Sequence, residues 1–76
     1  MNPITDHSGT KLEETVKARL SGRVWGFRLL MESDGLILRG KTRTYYAKQL
    51  AQQTVMSLTT LRIQANDIEV LNGEQL

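Results

Sequence analysis

Apolar residues fall on every second position of one stretch, and a turn signal follows at once. Trp25, Phe27, Leu29 and Met31 alternate with Gly26, Arg28, Leu30 and Glu32. Period two is the mark of a strand with one buried face. Asp34-Gly35 comes next, then the run LILRGKTR. Asp-Gly is a strong hairpin signal, because a type I′ turn needs positive φ at both central positions. A two-residue turn at Asp34-Gly35 sets Met31 against Leu38 and Leu29 against Gly40, on the Trp25 side. That side is the expected core face. Gly40 takes a side chain away from it, which predicts that something large, a helix, packs closely there. The opposite face then pairs Glu32 with Ile37, Leu30 with Arg39 and Arg28 with Lys41, with Arg43 beyond. A one-residue slip would exchange the two faces.

Helical signals flank the hairpin. Thr10 and Glu13 have the spacing of a capping box. Leu12, Val16 and Leu20 then recur every four residues, the spacing of one helix face. Ser21-Gly22 supplies the exit, since glycine accepts the left-handed conformation that helix ends use. Thr44 is placed to cap a second helix, whose inner face is Ala47, Leu50, Ala51, Thr54 and Leu58. Thr59-Thr60 ends it. LRIQANDIEVL reads as a last strand, with a bulge or bend near Asn66 where its apolar parity changes.

The order helix, strand, strand, helix, strand predicts an α+β fold. It is a small α/β sandwich, in which two helices cover one face of a three-stranded mixed sheet. The hairpin is antiparallel, and the last strand, reached by a helical crossover, runs parallel to the strand it joins. Residues 10–71 form the single domain. Residues 1–9 are expected to be a flexible lead-in and residues 72–76 a polar tail.

The whole chain has 76 residues, and a domain of that size buries only about 60% of the surface its unfolded chain exposes. That leaves little room for a deep catalytic cleft. Without cysteine there is no disulfide framework and no thiolate metal site. No run approaches the roughly 18 to 20 apolar residues that span a bilayer. The opening residues have no apolar core of signal-peptide length, which leaves two expectations, an unsecreted protein or an excised piece of a larger one. Net charge is only +2, yet residues 11–48 hold nine of the ten Lys and Arg and four of the eight acids. The middle of the chain is therefore basic, as a binder of anionic partners would be.

Several short motifs add to this order. Leu36-Ile37-Leu38-Arg39-Gly40 fits V-x-L-x-G, TRTYYAKQLAQQ fits a polar stretch leading into an alanine-bearing helix, and Asn66-Asp67-Ile68-Glu69-Val70 fits N-x-I-x-V. From about Leu12 to Val70 the chain resembles a BON domain, the bacterial osmotic-stress and nodulation family. It departs from the family pattern at Thr60-Leu61, where Gly-Val is common, at Gln64, where an apolar residue is usual, and in a shorter turn. The resemblance implies a non-enzymatic module, associated with the bacterial envelope, that attaches to phospholipid membranes or to other proteins.

Arg28, Arg39, Lys41, Arg43 and Lys48 are the main candidates for ligand contact, with Tyr45 beside them. Anionic lipid head groups attract such clusters. The plainer reading is a solvated sheet face whose charges prevent edge-to-edge aggregation. Tyr46 lies one turn before Leu50 and is expected at the core edge, leaving Tyr45 exposed. Trp25 is expected in the core. Gly35, Gly40 and Asn66 carry structural roles.

Catalysis and metal binding have no support. His7 stands without a second ligand nearby. Glu13-Glu14 and Asp67/Glu69 lack a nucleophile or a histidine beside them, and RGKTRT lacks the glycine spacing of a phosphate loop. No cofactor is expected. The expected partner is an anionic phospholipid surface or a protein. The alternatives are a small nucleic-acid-binding domain and a purely structural or oligomerising one.

Overall fold

The computed structural model describes the backbone of residues 4–71 and the side chains of residues 11–71. The chain runs α1 (Ile4–Leu20), β1 (Val24–Glu32), β2 (Gly35–Thr42), α2 (Tyr45–Leu58) and β3 (Ile63–Val70). The strands lie in the order β1-β2-β3, with β1 antiparallel and β3 parallel to β2. This is the expected α+β order, and the sheet is open, with a free edge on each side. The expected tail and the first three residues lie outside the described residues.

The helix signals hold at their ends and fail at one start. α1 stops at Leu20, and Ser21 and Gly22 both take positive φ, 52° and 80°. Thr44 Oγ1 accepts from the Ala47 N–H at 3.0 Å and caps α2. α1, however, begins at Ile4, so residues 4–9 of the expected lead-in are helical and Thr10 is no cap. Glu13 does other work. Its Oε2 accepts from the Leu29 N–H of the edge strand at 2.8 Å and lies 3.4 Å from Arg28 Nε.

The core lies between the helices and one face of the sheet. α1 contributes Val16 and Leu20, with Leu12 partly buried against them. α2 contributes Ala47, Ala51 and Val55, with Leu50 and Leu58 at the margin. The sheet contributes Val24, Phe27, Leu29, Leu36, Leu38 and Ile68. Val55 escaped the sequence reading, although it continues the spacing of Ala47 and Ala51. Thr42 is the one buried polar residue among those described, and its hydroxyl donates to the Arg23 carbonyl at 2.7 Å.

The hairpin register differs from expectation by two residues. Glu32 pairs with Gly35 and Leu29 with Leu38, so the turn residues are Ser33 and Asp34. Neither has positive φ, and a type I′ turn is not formed. A shift of two keeps parity, which is why the buried face of β2 is still the expected one.

Parity does change in β1. The register shifts between Trp25 and Arg28, where Gly26 takes φ 59°. This bulge leaves Val24 and Phe27 facing the core and turns Trp25 out, 44% exposed. The bulge also corrects the expectation at Gly40. A Cβ there would lie 2.8 Å from Val24 Cγ1 and 3.1 Å from the Trp25 carbonyl oxygen. Strand β1, not a helix, is what presses on Gly40.

β3 has its own register shift, between Ile63 and Ala65, two residues before the expected site at Asn66. Asn66 itself ties β3 to α2. Its Nδ2 donates to the Lys48 carbonyl at 3.0 Å and to Gln52 Oε1 at 3.2 Å, and its Oδ1 accepts from the Ile68 N–H at 3.2 Å. Asn66→Ala removes all three at a part-buried site. We expect a loss of about 1–3 kcal/mol in unfolding free energy, read by urea denaturation; a change within about 0.5 kcal/mol would remove Asn66 from the fold's supports.

Candidate functional site

The face of the sheet turned away from the helices is uncovered and can be laid out in rows across β1, β2 and β3. Leu30, Ile37 and Ala65 form a half-buried apolar row. Arg28, Arg39 and Asp67 form the second row, and Trp25, Lys41 and Glu69 the third. The basic residues thus do not stand alone. Each base on β2 has an acid beside it on β3, one strand spacing of about 4.8 Å away.

Arg28 faces Arg39, not Lys41, and the like-charge contact is offset on both flanks. Glu13 reaches Arg28 from α1, and Asp67 stands beside Arg39 on β3. Trp25, Gly26, Arg39, Gly40, Lys41, Asp67 and Glu69 line a shallow groove of about 630 Å³ on this face.

A second hollow of about 340 Å³ lies around the corner, where α1 ends, β2 ends and α2 begins. Gly22, Arg23, Trp25, Thr42, Arg43, Thr44, Tyr46 and Ala47 line it. Trp25 is the wall shared by the two hollows. The Arg43 guanidinium lies 5.6 Å from the centre of its ring, within cation–π range. Arg23 Nη1 donates to the Leu20 carbonyl at 3.3 Å, which completes the end of α1 and holds that guanidinium at the corner.

The six expected contact residues therefore divide. Arg28, Arg39 and Lys41 are on the open face, with acids interleaved. Arg43 belongs to the corner. Tyr45 and Lys48 are on the first turns of α2; Tyr45 is 63% exposed as expected, while the Lys48 carbonyl is held by Asn66. Tyr46 is 66% exposed and is not a core-edge residue. Trp25, Tyr46 and Arg23 are the corner residues that the sequence reading missed. The glycine inside an otherwise apolar strand was the signal for Trp25, since such a glycine often marks a bulge.

Among the described residues no group of three His, Cys, Asp or Glu is placed to hold a metal ion. No helix among them is long and apolar enough to cross a membrane. No family model matches the chain, and no curated protein or solved structure does.

Proposed function

We propose that this chain is a non-enzymatic interaction module of the BON type that docks on anionic phospholipid surfaces through the Trp25 corner. The observation that carries the reading is the meeting of exposed aromatic rings and cations at one end of the domain. Trp25 and Tyr46 are exposed there with Arg23 and Arg43, Tyr45 is exposed at the start of the same helix, and Lys41 is paired with Trp25 across the hairpin. Tryptophan and tyrosine favour the head-group level, where the ring is buried and the polar end stays wet. Each basic residue near an anionic surface adds about 1 kcal/mol, so these three supply about 3 kcal/mol. The element order and the motifs of the sequence support the family resemblance.

Trp25 is the single tryptophan, so its emission reports the docking directly. Vesicles of phosphatidylglycerol mixed with phosphatidylcholine are expected to shift that emission to the blue and to sediment the protein at low salt. Pure phosphatidylcholine vesicles are expected to do neither, and raising the salt to about 1 M, where the Debye length falls to about 3 Å, is expected to release the protein. Arg43→Glu is expected to weaken partitioning by about tenfold or more, from a charge change of two at about 1 kcal/mol each. Absence of both the shift and the sedimentation at low salt would turn the reading to a protein partner.

The outward turn of Trp25 also gives the sheet an aromatic surface on which a base could stack. Asp67 and Glu69 stand on that same face and oppose a phosphate backbone. An anisotropy titration with short RNA and DNA separates the two readings, and micromolar salt-sensitive binding would favour nucleic acid.

A further inference from the structure

We infer that the open face of the sheet is a self-association surface whose occupant is a second copy of this chain. The inference rests on the charge pattern of the face; it shares Lys41 with the Trp25 corner, while Arg39 and Asp67 lie outside that corner.

The pattern is two columns of opposite sign. β2 presents Arg39 and Lys41, and β3 presents Asp67 and Glu69 at the same levels along the strands. Above them Ile37 and Ala65 continue the columns as apolar residues. Among the described residues no ion pair within 4.0 Å joins the two columns. The charges stand side by side with their outer ends turned to solvent. Arg28 on β1 differs, because Glu13 of its own chain already meets it.

A two-fold axis parallel to the strands, lying between β2 and β3, sets β2 of one copy over β3 of the other. Levels along the strands are kept by that rotation. Arg39 then meets Asp67 of the second copy, Lys41 meets Glu69, and Ile37 meets Ala65, each contact occurring twice as an isologous interface requires. Packed sheets lie about 10 Å apart and within about 30° of alignment, a gap that the long arms of Arg39 and Lys41 can bridge. An axis across the strands lays each strand over its own counterpart, base on base and acid on acid. The charges therefore select one of the two face-to-face arrangements.

That axis superposes only β2 and β3 of the two copies and leaves each β1 outside the overlap, which places the contact at the small, weak end of interface sizes. The dimer accordingly forms by mass action as concentration rises.

Sedimentation equilibrium over a series reaching millimolar chain tests this, with Arg39→Glu and Asp67→Lys as variants. The wild-type mass is expected to rise towards twice the monomer value, and each variant alone is expected to raise the dissociation constant at least tenfold. An equimolar mixture of the two variants is expected to recover wild-type association. The two introduced charges then meet across the interface as an opposite pair, while the second contact keeps its native Arg39 and Asp67. Destabilisation of the single domain cannot produce that recovery. Lys41→Glu with Glu69→Lys provides a second pair should circular dichroism show either first variant unfolded. A wild-type chain that stays monomeric at millimolar concentration overturns the inference. So do variants that associate like wild type, and so does a mixture that associates no better than its components.

Discussion

Phe27→Ala is expected to cost about 3–5 kcal/mol of unfolding free energy, while Trp25→Ala costs about 1 kcal/mol or less. Both residues are aromatic, both are on β1, and they are two positions apart. An unbroken strand would give them the same surroundings. The bulge at Gly26 separates them: Phe27 is 1% exposed in the core and Trp25 is 44% exposed on the other face. A domain of this size has a total stability of only about 4–11 kcal/mol, so Phe27→Ala removes a large part of it. At about 4–8 °C per kcal/mol, the melting temperature falls by about 12 °C or more. Circular dichroism reads both variants, since one of them has no tryptophan. Equal losses at the two positions would mean that β1 is not bulged. The same Trp25→Ala variant is expected to lose binding to anionic vesicles while keeping its fold, a split that a core residue cannot show.

Gly35→Ala is expected to cost about 3 kcal/mol or more. Two effects add there. The backbone has φ 151°, where a side chain carries a strain of about 1–3 kcal/mol. A Cβ would also press into the Arg62 carbonyl oxygen, which accepts the Leu36 N–H at 2.8 Å. Overpacking against backbone adds about 1–3 kcal/mol, because backbone cannot rotate aside. Gly26→Ala provides the comparison. It has φ 59° but no neighbour within 4 Å of a built Cβ, so its cost is the left-handed term alone, about 1–2 kcal/mol. Denaturation of the two variants side by side checks the order. A Gly26 loss equal to that of Gly35 would remove the steric part of the account.

These positions also show what could be read in the chain beforehand. The element order, the Thr44 cap and the parallel placement of β3 follow from local rules: spacing, capping chemistry and the need of a crossover. They are legible because each is decided within a few residues. The hairpin register differs from the local expectation because the turn residues are Ser33 and Asp34, not Asp34-Gly35. Gly35 instead serves a contact with Arg62, 27 residues further on. No local pattern reveals such a contact. Glu13 has capping-box spacing but serves Leu29, and that partner is 16 residues away, beyond any local pattern.

The candidate site was half legible. The basic residues are legible in the sequence, but their setting is not. Asp67 and Glu69 stand beside the β2 column only because β3 pairs with β2 in this register. Trp25 and Arg43 meet only because one glycine shifts the strand by a residue.

One donor on each open margin of the sheet is taken by a side chain. Glu13 takes the outward N–H of Leu29 on β1, and Asn66 takes the N–H of Ile68 on β3. A sheet with open margins can recruit strand after strand without limit. With a donor on each margin already engaged, sideways growth meets a missing bond at its first step. Each margin therefore offers an added strand one hydrogen bond fewer, a local cost to growth by strand addition.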